Sequence, residues 1–248
     1  MQVKSTAEVQ VKRISELAVK IFADGAVRAD MLKMYQNPLI RGFTTNPTLM
    51  RKAGISDYEA FSRDIVKAIP DRPISLEVFS DDFDEMEQHA MKIASWGENV
   101  YVKIPVTNTQ GASAIPLLRR LSARGVRINV TALMTLAQVE EVTDAIRGCR
   151  AGYVSVFAGR IADTGRDPLP MMRQAVETLS AYKQLELIWA SPRELLNIFQ
   201  ADQIGCQVIT ATDDILKKLN LIGKDLDEYS LETVKMFRED AERAGFRL

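Results

Sequence analysis

Three side chains with nucleophilic or acid–base chemistry stand near the ends of short β-branched runs: Lys103 in Val100–Ile104, Asp24 closing Val19–Asp24, and Glu77 in Ile74–Phe79. A lysine is a nucleophile only when neutral; burial favours that form, and ionised carboxylates nearby oppose it. A carboxylate held against a hydroxyl can move its proton, a contribution of about 10²–10⁴-fold in rate. Amides and hydroxyls recur at matching places. Thr44 and Asn46 lie in Thr44-Thr45-Asn46-Pro47, Asn129 and Thr131 in Val126–Thr131, and Ser155 beside Phe157 in Tyr153–Phe157. The single histidine, His89, lies in the charged run Asp81–Lys92, which reads as a solvated helix. A multi-histidine metal site is excluded, and no metal is expected. Cys149 and Cys206 are far apart and read as buried thiols.

The elements that must position these groups alternate. Eight candidate strands are Val19–Asp24, Ile40–Thr45, Ile74–Phe79, Val100–Ile104, Val126–Thr131, Tyr153–Phe157, Leu185–Ala190 and Gln207–Thr210. Between them run helical patterns. Asp57–Ile69 places Tyr58, Phe61, Ile65 and Ile69 on one face, Phe83–Ala94 does the same with Phe83, Met86, Ala90 and Ile93, and Leu136–Ile146 and Met171–Leu179 behave alike. Eight strand–helix units predict an α/β fold, a single (β/α)8 TIM barrel over residues 1–248, with a doubly wound open sheet as the alternative. Length fits one such barrel and also two ordinary domains, but no linker or composition shift divides the chain. An extra helical extension is expected over about residues 220–248. There Ser230–Ala244, capped by Ser230, carries Leu231, Val234, Phe237 and Ala241 on one side and must pack on its own barrel or on a neighbouring subunit.

One register rule collects the polar residues. Barrel strands alternate between the interior and a dry helix layer. Val100, Val102 and Ile104 claim the helix layer, so Asn99, Tyr101 and Lys103 point inward. The same logic turns Asp24, Glu77, Asn129, Thr131, Ser155 and Phe157 inward, and the Thr44–Pro47 loop opens at the same rim. Polar groups gathered at the C-terminal ends of barrel strands are where such folds place active sites.

The bulk numbers narrow the partners. Hydrophobic residues make up 46% of the chain, charged residues 26%, and the formal net charge is −1. Nothing asks for nucleic acid or an anionic membrane. Met1–Lys20 is charged throughout, without the apolar stretch of a signal peptide, and no segment approaches the about 20 apolar residues of a membrane span. The expected location is the cytoplasm.

Six segments together resemble the transaldolase family, the class I Schiff-base enzymes that include fructose-6-phosphate aldolase. They are Phe22-Ala23-Asp24, Gly42-Phe43-Thr44-Thr45-Asn46-Pro47, Val102-Lys103-Ile104-Pro105, Asn129-Val130-Thr131, Ser155-Val156-Phe157-Ala158-Gly159-Arg160-Ile161 and Ala190-Ser191-Pro192-Arg193. The resemblance implies that Lys103 forms an imine and that Asp24 handles the substrate C4 hydroxyl. Glu77 and Thr131 would hold a catalytic water, Thr44, Asn46, Asn129, Ser155 and Phe157 would line the substrate, and Arg160, Ser191 and Arg193 would bind its phosphate. It implies transfer of a dihydroxyacetone unit between phosphosugars without a cofactor. Rival readings are an aldolase releasing free dihydroxyacetone and a non-catalytic phosphosugar binder. A homo-oligomer is expected, with the C-terminal helix as a contact. Pro192 departs from the aromatic often found at its position, and it reads as the start of a helix whose N-terminus faces the phosphate.

Overall fold

The computed structural model describes residues 12–247; Met1 to Val11 of the charged N-terminal segment, and Leu248, lie outside them. Eight parallel strands close into a barrel in sequence order: β1 (Lys20–Asp24), β2 (Ile40–Thr44), β3 (Ile74–Glu77), β4 (Val100–Pro105), β5 (Ile128–Leu133), β6 (Gly152–Val156), β7 (Leu185–Trp189) and β8 (Val208–Thr212). The seam is sealed in register from Lys20↔Val208 to Asp24↔Thr212, which excludes an open sheet.

The first five helices are α1 (Arg28–Tyr35), α2 (Pro47–Lys52), α3 (Tyr58–Ala68), α4 (Phe83–Ala94) and α5 (Ile115–Ala123). Then come α6 (Leu136–Ile146), α7 (Ala158–Asp163), α8 (Leu169–Leu179), α9 (Leu196–Gln203), α10 (Asp213–Leu216) and α11 (Leu226–Arg243). Their starts are written locally. Asp57 and Asp82 cap α3 and α4 with their carboxylates, and Thr135 and Gln138 form a reciprocal capping box on α6. Each of these three then turns its apolar stripe to the sheet: Ile65 and Val66 on α3, Met86, Ala90 and Ile93 on α4, Val139, Val142 and Ile146 on α6. Cys149 and Cys206 are buried free thiols, and burial pushes them up to about 11 and about 12. His89 lies on the outer side of α4, 3.8 Å from Glu85.

The interior follows the alternation read from the sequence except at Asn99, which precedes β4 and gives its side-chain amide to the carbonyls of Ile69 and Arg72 just after α3. Phe22, Tyr101, Tyr153, Ile188 and Val208 meet inside the barrel, apart from the larger cluster between sheet and helices. Tyr153 stacks 4.4 Å from Tyr101 and meets Phe22 edge-on at 5.7 Å. Gly42 makes this possible, because a Cβ there would lie 2.5 Å from the Phe22 ring. Beneath this layer, at the N-terminal end, Lys20 pairs with Glu186.

Most strand ends and some helix ends shift by one or two residues from expectation, and four boundaries have a clear local cause. β3 ends at Glu77, and Phe79 leaves the sheet to stand exposed against Tyr58, 4.4 Å away. β5 starts at Ile128, because Val126 still donates to Leu121 in the turn that closes α5 at Gly125. α9 starts at Leu196, so Pro192 opens no helix; Ser191 at φ 59° turns the chain aside first, and Asn197 accepts from the amides of Arg193 and Glu194. The C-terminal helix starts at Leu226, earlier than Ser230, because the Asp225 carboxylate caps it at Glu228 N and Asp227 and Glu228 favour its first turn. None of its residues is buried: Leu231, Val234 and Phe237 stand exposed, so the helix does not pack on its own barrel.

Candidate active site

The C-terminal mouth collects the residues singled out in the sequence. Lys103 is 6% exposed. Its Nζ donates to the backbone oxygen of Thr45 at 2.8 Å and lies 3.1 Å from Glu77 Oε2. β3 and β4 place these two side by side, with Glu77 opposite Lys103 in the ladder. A buried ammonium held by one carboxylate and one carbonyl has a defined position and an adjacent group to take its proton.

Asp24 faces the same space from β1. Thr44 Oγ1 donates to Asp24 Oδ1 at 2.7 Å, and Asn46 Nδ2 reaches Oδ2 at 3.4 Å. Burial holds Asp24 above the usual aspartate range; the Lys103 charge and the Thr44 hydrogen bond pull it back, and Glu77 adds to the rise. The Thr44–Pro47 motif has a clear local logic. Asn46 caps α2 by accepting from Leu49 N at 3.0 Å, with Pro47 at the first helical position, and the same side chain's amino group turns to Asp24.

The far wall is a chain of buried polar groups. Ser155 Oγ donates to Asn129 Oδ1 at 2.7 Å, and Asn129 Nδ2 donates to Ser75 Oγ at 2.9 Å. Thr131 is also buried, and its Oγ1 has no hydrogen-bond partner among the described residues. Burying such a hydroxyl unpaired costs about 1–3 kcal/mol. Just beyond it Ala132 takes φ 67° and the β5–β6 ladder slips, ending the inward alternation at the rim.

Arg160, Ser191 and Arg193 gather around Gly159 on the other side of the mouth. Arg193 Nη1 donates to Ser191 O at 3.0 Å and to Ser191 Oγ at 2.9 Å. A Cβ on Gly159 would lie 1.6 Å from Ser191 O, so only glycine allows α7 and the Ser191 turn to meet. Arg160 is exposed, its guanidinium 5.7 Å from the half-buried Phe157 ring. Arg193 is not free: its Nε and Nη2 grip Asp163 at 2.8 and 2.5 Å. That pair holds Asp163 below the usual carboxylate range, by the hydrogen bond first. The arginine's remaining edge is thereby aimed at Ser191.

All the expected site residues therefore lie on one end of the barrel. Sequence reasoning missed Ser75, Thr210, Gly159 and Asp163. Ser75 and Thr210 were within reach, because the inward register that selects Glu77 also selects Ser75, and β8 read the same way turns Thr210 inward. Asp163 carried no such signal, since it belongs to a short helix outside the strands.

A closed parallel barrel with a buried lysine and two carboxylates at its C-terminal mouth defines a barrel enzyme. Comparisons with known proteins give the family. Residues 21–248 match the model of the transaldolase/fructose-6-phosphate aldolase family. A protein of Dehalococcoides mccartyi named "Probable transaldolase" is 34% identical over 204 residues, 81% of this chain and 90% of that protein. One of the same name from Thermoanaerobacter sp. is 32% identical over 233 residues, 93% and 100% of the two chains. The chain belongs to the transaldolase/fructose-6-phosphate aldolase family and is an enzyme of the transaldolase type. Solved structures share the fold alone. KGPDC from Streptococcus mutans superposes with a TM-score of 0.55 at 11% identity, covering 82% of this chain and 91% of that one. Dihydrodipicolinate synthase from Rhodopseudomonas palustris superposes with 0.54 at 12%, covering 81% and 71%.

Proposed function

We propose that this enzyme transfers a dihydroxyacetone unit from a ketose phosphate to an aldose phosphate through an imine on Lys103. The observation that carries the reading is the buried Lys103 Nζ, 3.1 Å from Glu77 and facing the same space as Asp24. Lys103 gives up its proton, attacks the C2 carbonyl and loses water to form the imine. Asp24 takes the C4 hydroxyl proton, the C3–C4 bond breaks, and its electron pair moves toward the protonated imine. The aldose phosphate leaves, and the enamine on Lys103 attacks a second aldose. Glu77 and Thr131 hold the water that forms and later hydrolyses the imine; Thr44, Asn46, Asn129, Ser155 and Phe157 line the donor. Arg160, Ser191 and Arg193 take the phosphate. The lysine is itself the electron sink, so the reading calls on no metal or organic cofactor.

Phosphosugars as substrates follow from the family. Among the described residues no helix is long and apolar enough to cross a membrane. A cytoplasmic, pentose-phosphate role is part of the proposal, as are one barrel domain over the whole chain and self-association through the exposed face of α11. The test is covalent: fructose 6-phosphate and borohydride leave a reduced adduct that mass spectrometry maps to Lys103. An adduct on another lysine, or none with any ketose phosphate, overturns the reading.

A further inference from the structure

Thr210, on the inner face of β8, has no place in the roles above. It is 7% exposed, and its Oγ1 lies 2.5 Å from Thr44 Oγ1. Thr44 Oγ1 in turn donates to Asp24 Oδ1. The three residues come from adjacent strands across the barrel seam, where Asp24 pairs with Thr44 and Phe22 with both Gly42 and Thr210. The separation alone leaves the donor open, but counting protons decides it. A hydroxyl has one proton, and an ionised carboxylate only accepts. With Asp24 ionised, the Thr44 proton is committed to Oδ1, so the bond between the threonines must run from Thr210 to Thr44. Oδ2 is left with the long Asn46 contact.

Resting on the transaldolase reading of the site, we propose that Thr210 is a positioning residue. It donates through Thr44 to Asp24 Oδ1, so that Oδ2 is the oxygen that receives the C4 hydroxyl proton. As that O–H bond breaks, its electrons form the C4 carbonyl, and the C3–C4 pair passes into the imine on Lys103. A donor chain into Oδ1 favours the ionised carboxylate and so works against the effect of burial. It also keeps the carboxylate plane fixed, because rotating Asp24 would take the acceptor away from the buried Thr44 proton.

Other charges face Asp24 and stay in place when Thr210 changes. Lys103 comes from β4 and Glu77 from β3. A cavity of about 360 Å³ beside Asp24 is lined by Asp30 of α1, Lys52 of α2, and Asp213 and Asp214 of α10. A Thr210 variant therefore isolates the hydroxyl chain from the rest of the field.

The experiment compares Thr210→Val, which removes the hydroxyl at nearly constant shape, with Thr210→Ser, which keeps it. The pH profile of kcat/KM, the separate kcat and KM, and the melting temperature are read for each. Valine is expected to lower kcat by about threefold to tenfold, the scale of one neutral hydrogen bond, with KM changed by less than about twofold. The acid limb of kcat/KM should move to higher pH, because Asp24 must be ionised to accept the proton and now holds its own proton more tightly. Serine should keep the wild-type limb. A residue that only fills space would lower the melting temperature and leave the limb where it was. Should valine prevent folding, Thr210→Ala removes the same hydroxyl without a clash, and the same limb is read. A hydroxyl-free variant with wild-type kcat and acid limb, or a serine variant that behaves like valine, overturns the proposal. Borohydride trapping keeps the two readings apart. A wild-type adduct on Lys103 with an unmoved limb removes the role of Thr210 alone, whereas no adduct removes the reading of the whole site.

Discussion

Lys103 and Glu77 form an ion pair inside the barrel, 3.1 Å from Nζ to Oε2, on side chains that are only 8% and 17% exposed. Taking one member away leaves the other charge buried without its partner, at a cost of about 3–5 kcal/mol. Lys103→Met should therefore abolish activity and lower stability together, read by denaturant unfolding. Adding Glu77→Leu should restore most of the stability and none of the activity. If the double variant is no more stable than the single one, the pair is not what Lys103→Met disrupts.

Asp24 gives a pH dependence with a definite sign. Its folded-state value is raised by burial, so its contribution to stability is full below the unfolded-state value and is lost as pH rises through the folded-state one. Asp24→Asn should thus melt a few degrees higher than wild type at neutral pH, with the gap closing in acid, while catalysis falls by about 10²-fold or more. A variant less stable than wild type at neutral pH would show that the hydrogen bond from Thr44 outweighs desolvation.

Transfer should exceed simple cleavage. Phe157 offers no hydroxyl at its half-buried position, and Glu77 is committed to Lys103. The enamine then waits for an aldehyde, and rapid turnover of a ketose phosphate should need an acceptor aldose. Phe157→Tyr adds a donor that assists protonation and release, and Glu77→Gln changes the charge balance at Lys103. Both should raise acceptor-independent release of dihydroxyacetone, measured by coupled assay. Equal release by wild type with and without acceptor would assign the chain to the aldolase side of its family.

Gly159→Ala should be expensive. The added methyl would meet the backbone oxygen of Ser191 at 1.6 Å, so α7 or the Ser191 turn must move. Overpacking of this kind costs about 1–3 kcal/mol. The KM for phosphorylated substrates should rise by roughly tenfold or more, while borohydride still traps a small unphosphorylated ketose on Lys103. An unchanged KM would show that the Arg193–Ser191 corner does not hold the phosphate.

The exposed stripe on α11 predicts self-association. Leu231 and Phe237 are 53% and 63% exposed on a helix with no buried residue. Light scattering should find wild type as an oligomer and Leu231→Glu/Phe237→Glu as a smaller species. A monomeric wild type would remove this contact from the proposal.

How much of this could be read beforehand depended on where each residue sat. In strands, the demand that the helix layer be apolar fixes which side chains turn inward, so Lys103, Glu77, Asn129 and Ser155 were placed by their neighbours alone. The helices α3, α4 and α6 were legible from their apolar stripes, and Asp57, Asp82 and Thr135 cap them where those stripes begin. Legibility failed where long-range contacts decide. The positive φ of Ser191 moved the next helix past Pro192, and it owes its place to the close approach of Gly159. Asp163 joins Arg193 from 30 residues away. At α11 two cap-like residues compete: the Asp225 carboxylate accepts from Glu228 N, and Ser230 then falls inside the helix.

The aromatic layer of Phe22, Tyr101 and Tyr153 closes the barrel interior below the Lys103 site. Nothing the size of a sugar can leave downward between rings 4.4 and 5.7 Å apart, so entry and exit share the same rim. In the proposed mechanism the first aldose leaves before the second reaches the enamine, and each takes the phosphate corner in turn. Under the proposed mechanism the covalent enamine sets the order of events, and the aromatic floor adds that each product departs by the rim through which the sugars came.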